Sequence, residues 1–190
     1  MMHQATQRLV LELRRDAHRY VGFGGPLKNL GFWAGATYRV GVWSRKLPWP
    51  LRALANVPQR LADSVWRLAF NLRISPDAEI GPGLCLIHPW SVIIGGCVIG
   101  EDCLIFHEVT LGTNANSDGV FPTIGDHVDI YVGARILGNV RVGDRAKIGA
   151  NAVVLRSVPA GFTVAPPESR MISAAAVRAF GARSRRVSAD

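Results

Sequence analysis

The sequence has few of the features that would assign it to several common protein classes. Three of its 190 residues are cysteine, and no two of them have the CxxC spacing of a zinc or redox motif. Three cysteines cannot all pair within one chain, so we exclude a disulfide framework and expect a reducing, cytoplasmic compartment. No run of 18 uncharged apolar residues exists, which argues against a membrane-spanning helix. The opening run MMHQATQRLVLELRRD carries charges throughout, unlike a signal peptide.

Acidic residues are also scarce, with 14 Asp and Glu against 22 Lys and Arg, which gives a net charge of +8. A basic chain favours anionic small molecules or a membrane surface as partners, although net charge does not choose between them. We expect no nucleic-acid partner. We also expect no metal, because His and Cys lack clustered ligand spacing. No P-loop or GxGxxG motif leads from a strand into a helix, which disfavours nucleotide hydrolysis and dinucleotide binding. Hydrophobic residues make up 48% of the chain, enough for a core.

Residues 1–72 are predicted to form a helical region. An amphipathic opening helix, whose charged positions include Asp16, is followed by helices over about 30–45 and 51–72. Four of the five tryptophans and many basic residues lie here. Two interpretations stay open: a subdomain that packs on the rest or on a sister subunit, and a surface that touches a membrane. At the other end, residues 173–190 are predicted to form a flexible basic tail.

The middle of the chain repeats every six residues. From Ile124 onward, each hexad begins with a β-branched aliphatic residue and has a small or branched apolar residue at its fifth position. The frame slips by one residue between Leu86 and Ile93, and by seven between Leu111 and Ile124. The first positions are Ile74, Ile80, Leu86, Ile93, Ile99, Ile105, Leu111, Ile124, Ile130, Ile136, Val142, Ile148 and Val154.

A period of six fits neither an α-helix nor a simple alternating strand. It is typical of a short strand followed by a turn, and three such units make one triangular coil of about 18 residues. Neighbouring coils stack at about the 4.8 Å spacing of paired strands. We therefore predict a mainly β fold in which a parallel β-helix over residues 73–172 follows the helical region. Its interior would hold Ile130, Ile136, Val142 and Ile148.

Two segments resemble a known family: HPWSVIIGGCVIGEDCLIFHEVTLG, and PTIGDHVDIYVGARILGNVRVGDRAKIGANAVVLRSVPAGF. They are similar to the serine acetyltransferase group of hexapeptide acyltransferases. The resemblance covers residues 73–170, whereas the first 70 residues match only in being helical. It implies a left-handed parallel β-helix, which is an exception to right-handed crossovers. It also implies a homotrimer, acetyl-CoA as the donor, and active sites in clefts between neighbouring subunits.

Acetyl transfer to a hydroxyl needs a base that removes the hydroxyl proton, and histidine is suited to this task. His88 and His107 each occupy the third place of a hexad and are 19 residues apart, one coil plus the one-residue slip. This spacing stacks one over the other on the same face. The resemblance places the catalytic base at His88, and the family has an uncharged polar residue at the His107 position. We predict His88 as the general base and His107 as a second histidine that supports it or contacts the acceptor.

The sequence departs from the family where the family binds its amino acid with charged side chains. A family aspartate that supports the catalytic histidine falls at Arg73, the aspartate before that histidine at Ile87, and a substrate-contacting histidine at Phe121. Burying the ammonium and carboxylate of an amino acid without partners is costly, and Ile87 and Phe121 provide none. The acceptor is therefore predicted to be a hydroxyl of a sugar or glycan precursor. Trp90, Glu108 and Phe121 are its predicted contacts.

The carboxylate that would orient His88 is left open among Asp77, Glu79 and Glu108. The seven extra residues of the segment Thr113–Phe121 are expected to project from the solenoid and border the acceptor pocket.

For the donor, the resemblance implies main-chain contacts near Gly112, Val132 and Ala150. Lys147 matches a family lysine that lies close to the nucleotide phosphates. A pantetheine arm carries amides that can pair with exposed backbone groups at the edge of a solenoid.

Together these observations predict an acetyl-CoA-dependent O-acetyltransferase that acts on a sugar-like hydroxyl. Serine O-acetylation with a rebuilt acceptor site is the alternative, and a non-catalytic structural solenoid is the second alternative. We expect a homotrimer, and we leave open a higher assembly or a peripheral membrane contact through the helical region.

Overall fold

The computed structural model describes residues 2–166 and residue 168. Three α-helices come first, and short parallel strands follow along the rest of the described chain. The helices are α1 (Met2–Arg19), α2 (Leu30–Ser44) and α3 (Trp49–Phe70). The strands are β1 (Arg73–Ile74), β2 (Glu79–Ile80), β3 (Cys85–Ile87), β4 (Ile93–Ile94), β5 (Val98–Ile99), β6 (Leu104–Phe106), β7 (Thr110–Gly112), β8 (Thr123–Ile124), β9 (Asp129–Ile130), β10 (Arg135–Leu137), β11 (Arg141–Val142), β12 (Lys147–Ile148), β13 (Val153–Val154) and β14 (Thr163–Val164).

The strands form three parallel sheets that make the walls of a solenoid of about five turns. Sheet A contains β1, β4, β7, β10 and β13, sheet B contains β2, β5, β8 and β11, and sheet C contains β3, β6, β9, β12 and β14. In the later turns each residue pairs with the residue 18 positions further on, as Asp129 does with Lys147. The predicted mainly β solenoid with an N-terminal helical region is confirmed. The predicted tail, residues 173–190, lies outside the described residues.

The core lies inside the solenoid and consists of the hexad positions read from the sequence. Ile130, Ile136, Val142 and Ile148 are at most 1% exposed, as predicted. The fifth positions are buried as well, and they include two of the three cysteines, Cys97 and Cys103. Each turn therefore contributes a ring of branched side chains, and these rings stack along the axis with small residues between them.

The sequence frame is wrong at one position. It placed Ile93 inside, but Ile94 is the buried residue and pairs with Leu111, whereas Ile93 is 38% exposed. Eight residues separate Cys85 from Ile93, and five separate Ile93 from Val98, where a regular hexad would give six in both cases. The connection from β3 to β4 is thus two residues longer than in a regular hexad, and the connection from β4 to β5 is one residue shorter. The sequence shows only the net difference of one residue.

The helical region covers the open end of the solenoid, where β1, β2 and β3 are the first strands of their sheets. Such edge strands leave backbone groups unpaired. The carboxylate of Asp16 accepts hydrogen bonds from the backbone N–H groups of Gly83 and Leu84, at 2.8 and 2.9 Å. The guanidinium of Arg39 donates to the carbonyls of Ile80 and Gly81, at 3.1 and 2.7 Å. The two side chains replace the strand that a preceding turn would have supplied.

Two tyrosines extend this cap. The hydroxyl of Tyr20 donates to the carbonyl of Leu86 and accepts from the N–H of the same residue, at 3.2 and 2.7 Å. The hydroxyl of Tyr38 donates to the carbonyl of Ala78 at 2.6 Å. Helix α2 can approach this closely because residue 31 is glycine, since a Cβ at Gly31 would lie 1.9 Å from the carbonyl oxygen of Leu86.

The cap depends on a buried ion pair. Arg39 Nε donates to Asp16 Oδ2 at 2.5 Å, and both residues are 2% exposed. Burial raises the pKa of the Asp16 carboxyl, while the Arg39 guanidinium and the two backbone donors favour the ionised form. Asp16, which is predicted from the sequence to be one of the charged positions of an amphipathic helix, faces the solenoid in the structure.

Helix α3 packs on the protein through polar residues together with Trp66 and Phe70, and it leaves a row of apolar residues in solvent. Gln59 Nε2 and Trp66 Nε1 both donate to Thr37 of α2, at 3.1 Å in each case. The outer side of the helix carries large apolar residues, each at least half exposed: Leu54, Val57, Leu61, Val65 and Leu68. Among the described residues, no helix is long and apolar enough to cross a membrane. A membrane contact or a higher assembly through this region stays a prediction.

The cap gives a stability prediction. Replacing Arg39 by Met leaves the Asp16 carboxylate buried without its partner, and we expect a loss of about 3–5 kcal/mol in the free energy of unfolding. Arg45→Met is the control, because Arg45 lies 3.4 Å from Asp77 and both side chains are exposed. Exposed pairs contribute about 0–1 kcal/mol. Urea unfolding followed by circular dichroism measures both variants, and equal losses would contradict a role for Arg39 in holding the cap.

Candidate active site

The candidate site lies where the chain turns from sheet C to sheet A. We call this edge the C–A corner and define it as residues 88–92, 107–109, 131–134 and 149–152. Backbone hydrogen bonds connect successive turns there and place Trp90, His107, Val132 and Ala150 one above another. The bonds are Glu108 N–H to Trp90 O at 2.8 Å, Gly133 N–H to His107 O at 3.1 Å, and Asn151 N–H to Val132 O at 2.8 Å.

The corner is tight because one residue in each turn has a left-handed backbone. The φ angles are 54° at Ser91, 60° at Glu108, 70° at Gly133 and 59° at Asn151. Glycine and short polar residues tolerate this conformation best. The two residues gained between β3 and β4 fall at this corner in the first turn. His88 lies in that longer turn and has a φ of 50° itself, a costly conformation for a non-glycine residue.

The two predicted histidines lie together at this corner. The ring centroids of His88 and His107 are 6.2 Å apart, and the rings are nearly perpendicular at 69°. His88 is exposed, whereas Nδ1 of His107 is buried and has no hydrogen-bond partner among the described residues. A buried polar atom without a partner is uncommon in proteins and calls for a ligand, a water or another subunit. The arrangement provides one accessible imidazole for proton transfer and a second beside it.

Trp90 is held at the edge of the site by aromatic contacts. Its ring lies 5.2 Å from that of Phe70 in an edge-to-face arrangement, and Phe70 lies 5.1 Å from Trp66. The indole remains 44% exposed, so one part of it is available to a bound molecule. The N–H of Ser91 also donates to the carbonyl of Phe70 at 2.9 Å, which ties the end of α3 to the histidine turn.

The structure separates the remaining predicted residues from the histidines of the same chain. Gly112 ends β7 at the far side of sheet A, and the segment Thr113–Phe121 leaves the solenoid there, between sheets A and B. The Phe121 ring lies on the backbone of Gly95, where an added Cβ would be 2.1 Å from it. Within one chain, therefore, neither Gly112 nor Phe121 borders His88.

The carboxylate candidates are also divided. Asp77 lies at the corner between sheets A and B, where it is 3.4 Å from Arg45, and Glu79 begins β2 in sheet B. Glu108 is at the C–A corner, next to His107. Among the described residues, no carboxylate oxygen lies within 4.0 Å of either His88 or His107.

Charged groups flank the histidine turns along sheet A and sheet C. Arg135 begins β10, pairs in register with Thr110, and donates to the carbonyl of Gly133 at 2.9 Å. Lys147 is exposed on β12, with Nζ 3.9 Å from Asp129 Oδ2. Arg135 begins its strand directly after the C–A corner, and only the strand register shows that it lies beside this corner.

The thiols are not available for nucleophilic chemistry. Burial raises the pKa of Cys85 to about 11 and the pKa values of Cys97 and Cys103 to about 12. In the described part of the chain, no group of three or more His, Cys, Asp and Glu side chains is arranged to hold a metal ion. The exposed groups at this corner that can take and return a proton are therefore the imidazole of His88 and the carboxylate of Glu108.

A parallel solenoid of hexapeptides with a histidine pair at one corner has the features of a hexapeptide-repeat transferase. Residues 121–156 match the family described as bacterial transferase hexapeptide (six repeats). The chain is 40% identical over 116 residues to a serine acetyltransferase of Helicobacter pylori, covering 60% of this chain and 68% of that protein. It is 36% identical over 152 residues to the enzyme of the same name from Synechococcus elongatus. The chain belongs to the serine acetyltransferase-like family of hexapeptide-repeat proteins.

Solved structures agree with this assignment. Serine acetyltransferase from Brucella abortus superposes with a TM-score of 0.72 at 34% identity, covering 90% of this chain and 72% of that one. The same enzyme in complex with coenzyme A gives 0.68 at 33%, with 88% and 67% covered. The Neisseria gonorrhoeae enzyme in complex with serine gives 0.69 at 30%, with 89% and 69% covered. The chain spans 59% of the length of the Synechococcus relative, which matches 78% of this chain.

Proposed function

We propose that this protein is an acetyl-CoA-dependent serine O-acetyltransferase with His88 as its general base. The observation that carries the proposal is the histidine pair at the C–A corner, in a chain whose relatives named above are all serine acetyltransferases. Those relatives give no support to the sugar acceptor expected from the sequence. Complexes of solved relatives with serine and with coenzyme A support the acceptor and the donor.

The two residues from which a sugar acceptor was expected do not line the histidine turn of their own chain. Ile87 is 8% exposed and packs in a cluster with Tyr20 and Cys85, under the helical cap. Phe121 packs on the glycines between β4 and β5. Ile87 therefore removes no partner for the ions of serine, and Phe121 reaches the site only where a neighbouring copy sets its segment Thr113–Phe121 against it.

Serine would find charged partners from other positions. The exposed carboxylate of Glu108 lies at the corner and suits the ammonium of serine. Arg135, one turn further along sheet A, suits its carboxylate, because a guanidinium pairs with a carboxylate in bidentate fashion. Glu108 and Arg135 are both exposed at the surface of this chain. Each would replace water around one ion of a bound serine, so neither ion would be left without a partner.

In the proposed reaction, an imidazole nitrogen of His88 takes the proton of the serine hydroxyl as its oxygen attacks the thioester carbonyl of acetyl-CoA. The carbon–sulfur bond then breaks, and the imidazolium returns the proton to the departing thiolate of coenzyme A. The products are O-acetylserine and free coenzyme A, with His88 restored. Lys147 and the main chain near Val132 and Ala150, in the turns beyond the histidines, support binding of the donor.

The assembly expected from the resemblance, a homotrimer, explains why the predicted residues divide between two corners. A neighbouring copy that sets its corner between sheets A and B against the C–A corner would bring its Gly112 and its segment Thr113–Phe121 beside His88. The unpartnered Nδ1 of His107 is consistent with a site completed from outside the chain.

The acceptor is tested by release of the coenzyme A thiol. We expect turnover of acetyl-CoA with L-serine and background rates with D-serine, L-alanine and a panel of nucleotide sugars. L-alanine is the matched control because it has both ions of serine and lacks the hydroxyl. Turnover with a nucleotide sugar and none with L-serine would contradict the proposed acceptor and restore the sugar interpretation.

Removal of the base is the second test. With no group to accept the hydroxyl proton, His88→Ala should lose about 10²–10⁴-fold in kcat. Acetyl-CoA binding, measured by calorimetry, should change little. His127→Ala is the control, because His127 lies at another corner, 3.9 Å from Asp102. A folded His88→Ala protein that turns over at the wild-type rate would end the assignment.

Sharing of the site between subunits is tested by complementation. His88→Ala and a variant that lacks seven residues of the segment Thr113–Phe121 should each be inactive as pure trimers. Coexpressed in equal amounts, they should recover about one quarter of wild-type activity, because one interface in four combines two intact corners. Recovery shows a shared site. No recovery in verified mixed trimers, or an active deletion variant, would contradict it.

A further inference from the structure

A cavity lies at the capped end of the solenoid, away from the C–A corner. It has a volume of about 370 Å³ and lies between α2, α3 and the first turn of sheet A. This volume is at the lower end of the range for small-molecule sites, about 300–1,000 Å³. None of the residues that the proposed reaction uses lines it.

The cavity has an excess of positive charge. Four arginines line it, Arg45, Arg60, Arg67 and Arg73, against one carboxylate, that of Asp63. Arg45 is occupied elsewhere, because its Nη1 donates to the carbonyl of Pro76 at 2.9 Å and lies 3.4 Å from Asp77.

The other three arginines are left without an ion pair. Within residues 2–166 and 168, Arg60, Arg67 and Arg73 have no carboxylate oxygen within 4.0 Å. Asp63 instead accepts a hydrogen bond from Gln59 at 3.0 Å. Three exposed arginines without ion pairs around one concave space give it a positive potential, which favours binding of an anion there.

The base of the cavity is apolar and rigid. Ala34 and Leu72 are 2% and 4% exposed, and Trp66 is fixed by its hydrogen bond to Thr37 Oγ1 at 3.1 Å. A ligand here would meet apolar surface on one side and guanidinium groups on the other. Sites of this composition hold small molecules that combine a carbon skeleton with anionic groups.

We propose that this cavity binds a small organic anion that carries at least two carboxylate or phosphate groups. Guanidinium groups pair with both kinds of oxyanion in bidentate geometry, which fits two of the three unpaired arginines to two such groups. The cavity also touches the aromatic series Trp66–Phe70–Trp90, so the ligand would lie three rings away from the turn that carries His88. The proposal concerns binding and does not depend on which acceptor is acetylated.

The test uses the full chain and two simple probes. Thermal unfolding is measured with 10 mM inorganic phosphate, with 10 mM succinate, and with sodium chloride at the same ionic strength. We expect at least one anion to raise Tm by about 2–4 °C over chloride, through preferential binding to the folded state. Stabilisation by phosphate alone assigns a phosphorylated ligand, and stabilisation by succinate alone assigns a dicarboxylate.

Two variants separate a site from a general salt effect. The double variant Arg60→Gln/Arg67→Gln should lose the increase, whereas Arg52→Gln should keep it, because Arg52 lies on the same helix but outside the cavity. Phosphate also stabilises proteins by exclusion from their surface, and that effect would be equal in all three proteins. Equal shifts in all three, or no shift with either anion, would overturn the proposal.

Discussion

The open end of the solenoid is the constraint on which the rest of the structure depends. A stack of parallel turns pairs every strand with the next, but the first strand of each sheet has no preceding strand to pair with. Here the missing strand is replaced by side chains: the buried Asp16–Arg39 pair and two tyrosine hydroxyls bind backbone groups of the first turn. The helical region is thus a structural part of the β fold, and its buried charges follow from that task.

The candidate site arises from irregularity in an otherwise regular repeat. A strict hexad would carry the chain around the C–A corner with a short, uniform turn. The two residues gained at the first turn allow His88 to stand away from the wall while His107 stays in line with Trp90 below it and Val132 above. The other insertion, Thr113–Phe121, falls at the next corner. The two insertions lie in the first turn, after β3, and in the third turn, after β7, and the proposed chemistry depends on both.

Much of the fold could be predicted from the sequence because a period of six residues is typical of a solenoid with short parallel strands. A branched residue every six positions leaves few architectures, and Ile130 and Ile148 are buried where the frame placed them. The exchange of Ile93 for Ile94 could not be predicted, because two compensating changes of turn length leave one net slip. The burial of Asp16 and Arg39 escaped as well, since a charged residue on an amphipathic helix reads as solvent-exposed until the partner surface is known.

For the site, spacing was enough to bring His88 and His107 together, because both lie within the repeat. It was not enough to place Ile87 or Phe121. Whether Ile87 faces the reaction or the helical cap depends on how Tyr20 packs on β3, which no periodicity encodes. The sugar acceptor was expected because both residues were taken to line the acceptor pocket, whereas within one chain neither of them lines the histidine turn.

Because the turns of a solenoid contact only their neighbours, the stabilising effect of the cap on a turn decreases with distance from the cap. Each turn contacts only the turn before it and the turn after it, so the stabilisation that the cap provides is passed from one turn to the next along the axis. The helices hold the first turn, and the histidines belong to the first and second turns. A lesion in the cap would therefore loosen the two imidazoles before it disturbed the donor end. The turns with irregular length, which carry the histidines, thus lie next to the helical cap.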